Sequence, residues 1–456
     1  MKKRDVDMLH GPLLPNIIAY AIPIVLTGIF KMLFNTADLA VMGQFAGSLS
    51  VAAVGATGPL NTLIVNLFIG LSAGAGVATA HAIGKNDEQT LERTVHTTIT
   101  VAFLGGIVLM LIAEIFCEPL LRMTDTPEDA LPLAAVYMRI YFAATPATMV
   151  YDFGSAVLRA AGDTKRPMII ITSAGVLNAI LNVIFVAVFH MDVAGVALST
   201  AISQVLAAVA IVFLFVRGDT KVRLNVRKLR IHKEPMLKIL KIGLPVGLQM
   251  VINSVSNVIY QTAVNSFGEA FMSGHIAART LNGYSTLALN AFYQVSLNFV
   301  GQNVGAGQYK RIKKIISTSL ACGVVIGLSV GTLVYIFGRP LMSIFVPDSP
   351  EAIEYGMVNL AILGLPCFLL AITNVASGAL RGLGESLVTM VISLAFGCGF
   401  MVLWIWTVFQ LPQFHTPAGL YISTPINWAM QAVALFAVFA VIYRKKVRQA
   451  QESLNA

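Results

Sequence analysis

Three polar side chains lie within the first long apolar segment of the chain, at Lys31, Asn35 and Asp38. The segment over 15–42 is long enough to cross a bilayer, which requires about 20 apolar residues. The three side chains fall on one helical face, because residues three or four positions apart are neighbours on a helix. A charge at membrane depth is costly, so it usually faces a partner or a water-filled cavity. Asp38 is therefore a candidate for a residue on an ion or substrate path.

The composition indicates an integral membrane protein. Of the 456 residues, 57% are hydrophobic and only 12% are charged, whereas soluble domains carry about 25% charged residues. The net charge of +9 comes from basic residues in the loops between apolar segments, which orient a membrane protein and do not indicate nucleic-acid binding. The four cysteines show no metal-ligand spacing. A phosphate-binding GxxxxGK[ST] motif is absent from the sequence, which argues against an intrinsic ATP motor.

Apolar runs bounded by charged residues, Pro and Gly predict twelve membrane spans. They divide the chain into an N-terminal six-helix lobe over 1–216, a basic linker over 217–235, a C-terminal six-helix lobe over 236–443 and a tail over 444–456. Lys and Arg are concentrated in alternate loops, which predicts that the linker and both termini are cytoplasmic. The predicted spans are 15–42, 51–82, 91–116, 130–158, 166–189, 194–216, 236–264, 272–303, 312–337, 351–380, 386–410 and 418–443.

The two lobes repeat each other in sequence at a nearly constant offset. RAAGDTKRPM at 159–168 aligns with RGLGESLVTM at 381–390, and AGVALSTAIS at 194–203 aligns with AGLYISTPIN at 418–427. Because six is an even number, both lobes would share one orientation in the membrane. The predicted fold class is an all-α integral membrane protein with two parallel six-helix repeats. In transporters of this kind, the halves move against each other to alternate access.

Four polar side chains are predicted at similar depth in the N-terminal lobe. With a rise of about 1.5 Å per residue, Asp38, Asn178, Asn182 and Thr200 all fall in the outer half of the lobe. Their oxygens suit a hard cation, or a proton on the carboxylate. Hydrogen bonding between helices would also explain the Asn and Thr residues. The repeat-related position of Asp38 is Tyr260, so the cluster occurs in one lobe only, which favours a functional site.

A second polar stripe follows the seventh predicted span, where amide side chains stand four residues apart. Polar faces of this kind avoid lipid, so we expect them to line a central cavity for substrate. Ordinary helix packing would explain the nearby aromatic residues equally well. The residues assigned to the cavity are Lys31, Asn35, Gln249, Asn253, Asn257, Tyr260 and Tyr284.

Several sequence features occur together in this chain: the two six-span repeats, NTADLAVMG in the first span, the RAAGDTKRP loop, and the LNAILN and GVALST runs. In these features, and over nearly its whole length, the chain resembles the multidrug and toxic compound extrusion (MATE) family. The resemblance implies a secondary antiporter of the bacterial cytoplasmic (inner) membrane that exports organic compounds in exchange for H⁺ or Na⁺. It also implies that Asp38, Asn178, Asn182 and Thr200 form the first-lobe cation site. The chain departs from the family pattern at Asn182, where many relatives carry an acid.

We therefore expect a monomeric exporter of a small organic substrate, not an enzyme, in a lipid bilayer. It would bind no nucleic acid and no cofactor or metal apart from the coupling ion, H⁺ or Na⁺. Lys31 near the cavity favours a neutral, zwitterionic or anionic cargo. The main alternative is a flippase of a lipid-linked precursor, although only Lys31, Arg139 and Arg279 supply basic groups within spans. A major-facilitator transporter is disfavoured because the loop after the second span lacks that family's signature.

Overall fold

The computed structural model describes residues 5–124, 126–218 and 220–455, and it contains helices and turns but no strand within these ranges. The predicted all-α fold is confirmed. The helices of the first half are α1 (Leu13–Phe45), α2 (Ser48–Gly84), α3 (Glu88–Met123), α4 (Leu131–Ala143), α5 (Thr145–Ala160), α6 (Lys165–Asn182) and α7 (Asp192–Arg217).

The second half contains more interruptions than the first. Its helices are α8 (Lys233–Asn265), α9 (Glu269–Gly305), α10 (Tyr309–Ile336), α11 (Gly338–Phe345), α12 (Pro350–Asn359), α13 (Phe368–Gly382), α14 (Ser386–Ile392), α15 (Phe400–Trp406), α16 (Pro417–Tyr421) and α17 (Ser423–Asn455). π-Helical turns continue three helices, at Val183–Val188, Leu360–Gly364 and Ser393–Gly399, and 3₁₀ turns lie at Val226–Lys228, Leu365–Cys367 and Val408–Gln410.

Most of the helices are suited to a membrane. Among the described residues, ten helical segments are long and apolar enough to span one, and α4 with α5 forms a further span bent by 47°. Pro146 at the start of α5 explains the bend, because proline lacks the backbone N–H that a continuous helix needs. α9 has 37 residues and covers the predicted eighth span. With α9 included, the arrangement agrees with the predicted twelve spans.

Residue contacts divide the chain into two compact units. Unit 1 comprises Met1–Val6 and Leu26–Gly247, and unit 2 comprises Asp7–Val25 and Leu248–Ala456. Of the three borders between the units, one precedes α1, and the other two fall inside the long helices α1 and α8. The predicted lobes are defined by the order of the spans along the chain, whereas the two units are defined by residue contacts. The lobe borders at the linker therefore stay a prediction.

The linker between α7 and α8 is part of the core of unit 1. The side chains of Val222 and Leu224 are buried in an apolar cluster to which α2, α3, α5, α6, α7 and α8 contribute. The buried His96 accepts at Nε2 from the backbone N–H of Asn225, at 3.1 Å, and donates from Nδ1 to the backbone oxygen of Glu92. Apolar burial and these hydrogen bonds together fix the path of the linker on unit 1.

α6 starts from a turn that the sequence repeat encodes. Gly162 has φ +95° and its repeat partner Gly384 has φ +88°, a left-handed conformation that glycine adopts without strain. After the first of these turns, Asp163 Oδ1 accepts from the backbone N–H of Arg166 at 3.1 Å. Burial raises the pKa of the Asp163 carboxyl. The turn sets the direction in which α6 carries its asparagines through unit 1.

In unit 2, α9, α10 and α13 pack closely, and glycines on α10 allow the approach. A Cβ added at Gly331 would lie 2.1 Å from the backbone oxygen of Gly364. A Cβ added at Gly327 would lie 2.8 Å from Cα of Phe368. The backbones therefore touch at these positions, as is common where small residues face each other in membrane helices.

Gly331→Ala should lower the thermal stability of the purified protein, because the new methyl group would overlap a backbone oxygen that cannot move aside. We expect a cost of about 1–3 kcal/mol, measured as a lower unfolding midpoint in detergent by intrinsic fluorescence. Gly105→Ala on α3 is the control, since its Cβ would meet only the terminal methyl of Met149, at 3.4 Å. Equal midpoints for the two variants would contradict the close contact.

Candidate functional site

The structure brings together the four residues of the predicted ion site, all of them in unit 1. Asp38 lies near the end of α1, Asn178 and Asn182 lie on α6, and Thr200 lies on α7. Asn182 Nδ2 donates a hydrogen bond to Asp38 Oδ1. The Asn178 amide bridges Asp38 and Thr200 when it is oriented to satisfy both. In that orientation Nδ2 donates to Asp38 Oδ1 at 2.9 Å, and the amide oxygen accepts from Thr200 Oγ1 at 3.2 Å.

Ser199 completes this network and was not predicted from the sequence. Its hydroxyl donates to Asn182 Oδ1, and both side chains have 0% exposure. A buried amide needs a donor for its oxygen as well as an acceptor for its nitrogen. This requirement could have pointed to Ser199 from the sequence, because Ser199 is adjacent to Thr200 in the GVALST run and offers a second hydroxyl donor. Depth alone does not show which of the two hydroxyls faces which asparagine.

The network leaves one carboxylate oxygen available. Both amide donors reach Asp38 Oδ1, and among the described residues no hydrogen bond reaches Oδ2. The Asp38 side chain is half-buried, whereas Asn178 and Asn182 are buried. Oδ2 could therefore take up a proton, or it could bind a cation together with amide oxygens if the amides rotate. Ion binding at this site stays a prediction.

Two of the predicted cavity residues also belong to unit 1. Lys31 and Asn35 lie on α1, and both side chains are exposed. No carboxylate of the described residues forms an ion pair with Lys31. The other basic residue predicted within a span of this half, Arg139, lies 3.2 Å from Glu118 and 3.7 Å from Glu114. Arg139 is therefore neutralised, but Lys31 is not.

The polar stripe on α8 lines a cavity of about 670 Å³ within unit 2. Gln249, Asn253, Asn257 and Tyr260 all contribute to its wall, and their role in substrate binding stays a prediction. Tyr284 does not line this cavity, and its side chain is 37% exposed. The remaining walls come from α9, α12, α13, α15 and α17 and from the turns that follow α12 and α14.

Four polar side chains, three of which line this cavity, form a hydrogen-bonded chain that was not part of the predicted set. Asn282 Nδ2 donates to Asn359 Oδ1 at 3.0 Å. Asn359 in turn lies 3.5 Å from Nδ1 of His275, and the same nitrogen lies 3.2 Å from the Tyr421 hydroxyl. The sequence does show the two asparagines, Asn282 on α9 and Asn359 on α12. Their spacing along the chain, however, does not show that these two helices meet.

Among the described residues, no group of three or more His, Cys, Asp or Glu side chains is placed to hold a metal ion. The ligand chemistry of both sites is therefore that of amides, hydroxyls and single charges.

Comparison with known proteins identifies the family. The MatE family model matches residues 23–184 and 245–405, one match in each half of the chain. The chain belongs to the MATE family. The paired matches also agree with the internal repeat, because each one starts at one of the two prolines, Pro23 and Pro245, that lie within long helices.

The relatives of this MATE chain are named for multidrug resistance or for transport. It is 26% identical to the probable multidrug resistance protein YoeA of Bacillus subtilis (strain 168), over 94% of this chain and 93% of that one. It is also 26% identical to an FAD transporter of Shewanella oneidensis, over 90% and 91% of the two chains. The fold matches an outward-facing multidrug resistance MATE family transporter of the MOP superfamily with a TM-score of 0.87, at 22% identity, over 99% of this chain and 100% of that one. The chain is therefore a multi-pass membrane transporter.

Ser199→Ala should destabilise unit 1 more than Ser203→Ala, although both serines are buried on α7. The first change leaves the Asn182 oxygen without its hydroxyl donor, whereas Ser203 donates only to the backbone oxygen of Ser199, at 2.8 Å. We expect a difference of about 1 kcal/mol, seen as a lower thermal midpoint for Ser199→Ala. A lower midpoint for Ser203→Ala instead would show that the Asn182 contact is not important for stability.

Proposed function

We propose that this transporter is a secondary active exporter of organic compounds, driven by H⁺ or Na⁺ through the Asp38 carboxylate. The supporting observation is the hydrogen-bond network in which Asp38 accepts from two α6 amides through a single oxygen. A carboxylate inside a membrane span is costly and marks an ion path by default. In this chain, the hydrogen bonds that Asp38 accepts from Asn178 and Asn182 depend on the charge of its carboxylate.

Ion binding at Asp38 would alter the packing of three helices. A proton on Oδ2 neutralises the carboxylate and weakens the charge-assisted bonds from Asn178 and Asn182, since such bonds are roughly twice as strong as neutral ones. A sodium ion would instead draw the amide oxygens toward itself and away from Ser199 and Thr200. In both cases α1, α6 and α7 lose the arrangement that holds them together when the carboxylate is charged. This change is the proposed link between ion uptake and alternating access.

The cavity of unit 2 is the proposed place for cargo. Its volume is suited to a small organic molecule, since ligand pockets are typically about 300–1,000 Å³. The relatives' names include multidrug resistance and FAD transport, which supports a transporter of organic molecules. We further propose that the protein works as a monomer in the bacterial cytoplasmic (inner) membrane, with both termini cytoplasmic. It needs no cofactor other than the coupling ion.

A flippase of a lipid-linked precursor is the weaker alternative. An oligosaccharide diphosphate requires several basic groups around one cavity. Of the three basic residues predicted within spans, Arg139 is paired with Glu118 and Lys31 lies outside the cavity of unit 2. Only Arg279 lines that cavity. This single cation suits one anionic group better than it suits a diphosphate.

Asp38→Asn should fold normally but lose gradient-driven transport by about 100-fold or more. The asparagine oxygen can still accept from Asn178 and Asn182, but the side chain can no longer bind a proton or balance a cation. The measurement is dye movement in proteoliposomes under separately imposed proton and sodium gradients, with a panel of cargo molecules.

The matched control for this experiment is Asp348→Asn, which makes the same change at an exposed position in the loop between α11 and α12. It should transport at the wild-type rate. The gradient that drives the wild-type protein identifies the coupling ion. Wild-type transport by Asp38→Asn under that gradient would disprove the proposed mechanism, whereas lipid scrambling without dye movement would favour the flippase.

A further inference from the structure

The described residues that line the cavity of unit 2 include a cation and no carboxylate. Among the described residues that line it, Arg279 is the only one with a permanent charge. Arg279 lies on α9, at about 15 Å from the start of that helix given a rise of about 1.5 Å per residue. Its side chain is exposed to the cavity, and no described carboxylate lies within ion-pair distance of it. A guanidinium in this position is a strong donor with no anion supplied by the protein.

Four of the seven amide side chains that line the cavity have their oxygens occupied by donors from the protein, and a fifth oxygen, Asn282 Oδ1, is buried. Each of four lining residues accepts a hydrogen bond through its side-chain oxygen, which reduces the number of acceptors left for a ligand. The bonds are Arg381 Nη2 to Gln249 Oε1 at 2.7 Å, Cys398 Sγ to Asn253 Oδ1 at 3.2 Å, Asn282 Nδ2 to Asn359 Oδ1 at 3.0 Å, and Gln431 Nε2 to Asn427 Oδ1 at 2.8 Å.

Because many of its acceptors are occupied, the cavity offers a ligand mainly hydrogen-bond donors, a property called here its donor bias. Arg381 has the strongest effect on this donor bias. It is only 5% exposed, and its guanidinium donates to the hydroxyl of Tyr293 and to Oε1 of Gln249, both at 2.7 Å. A bond from a charged donor fixes the orientation of the Gln249 amide, because the reversed amide would place N–H groups against the guanidinium. The Gln249 nitrogen therefore remains as the group that a ligand in the cavity can use. It is a donor, as Arg279 is.

Aromatic side chains form part of the remaining wall, whose described residues carry no permanent charge. Tyr260 and Trp428 line the cavity, and His275 lies between Tyr260 and Tyr421, with ring centroids 6.1 Å and 5.7 Å away. Aromatic faces of this kind bind planar organic rings by stacking and by burial of apolar area. The chemistry of the wall therefore matches a flat molecule that carries a negative group.

We propose that this cavity binds an aromatic organic anion and that Arg279 contacts its carboxylate or phosphate group. The inference builds on the proposed function, because it names the cargo class of the exporter. A cation would find no counter-charge here and would have to approach a guanidinium. The preference for anions thus follows from the charge of the lining and from the donor bias of its amides.

The test is an equilibrium titration of the purified protein in phosphatidylcholine nanodiscs with two dyes that share a three-ring core. Fluorescein is an anion at neutral pH, and tetramethylrhodamine methyl ester is a cation. Fluorescein should bind more tightly than the rhodamine ester to the wild-type protein. Arg279→Gln should weaken fluorescein binding by about 10- to 100-fold, the range expected for loss of a hydrogen bond to a charged group. Arg279→Lys should retain part of the affinity because it keeps the charge.

The control is Arg339→Gln, which removes the same charge from an exposed pair with Glu354. It should bind fluorescein as the wild-type protein does, and the thermal midpoints of all variants verify that they are folded. Equal affinity of the wild-type protein for the two dyes, or unchanged fluorescein binding in Arg279→Gln, would overturn the proposal. Added phosphatidylglycerol should leave fluorescein affinity unchanged. If phosphatidylglycerol weakens fluorescein binding to the wild-type protein but not to Arg279→Gln, the lipid headgroup competes for Arg279. That result would identify a lipid headgroup as the occupant and would also overturn the proposal.

The titration contains no ion gradient, so its outcome is independent of the coupling mechanism. Loss of anion preference with gradient-driven transport intact would overturn the anion assignment alone. Anion binding through Arg279 without any gradient-driven transport would support the assignment and overturn the proposed exporter.

Discussion

A carboxylate within a membrane span has to be satisfied by the protein itself, and Asp38 imposes this constraint on unit 1. Water is scarce at that depth, so the hydrogen bonds that stabilise the charge come from the side chains of neighbouring helices. Asn178 and Asn182 supply them from α6, and Ser199 and Thr200 on α7 satisfy the asparagines in turn. Three helices are therefore joined through one charge, and any change in that charge is felt by all three.

The two units use opposite chemistry. Unit 1 holds an acid among amides and hydroxyls, which suits a proton or a small cation. Among the described residues, the lining of the cavity in unit 2 contains Arg279 and no acid, and four of its seven amide oxygens accept hydrogen bonds from the protein. The repeat in the sequence thus preserves the helices but not the acid, because Tyr260 occupies the position related to Asp38. Under the proposed function, this division places ion and cargo on different groups, so that neither has to displace the other directly.

Much of the fold could be predicted from the sequence, because membrane spans are set by length and apolar composition. The meeting of Asp38, Asn178, Asn182 and Thr200 could also be predicted, since helical rise fixes depth and a spacing of four fixes a shared face. Contacts that depend on the rotation of a helix about its own axis could not be predicted from the sequence. Ser199, the His275–Asn359 pair and the bond from Arg381 to Gln249 are of this kind. The bend at Pro146 and the π-helical turn that follows Asn182 also depend on packing, because the apolar pattern continues through both.

The central claim is that Asp38 carries the coupling ion, and ion release on cargo binding tests it most directly. Purified protein in weakly buffered solution would be mixed with a transported cargo while a pH indicator and a sodium electrode record the ions set free. The account predicts that the wild-type protein releases protons or sodium ions and that Asp38→Asn, which still binds the cargo, releases neither. The same release from Asp38→Asn as from the wild-type protein would contradict it.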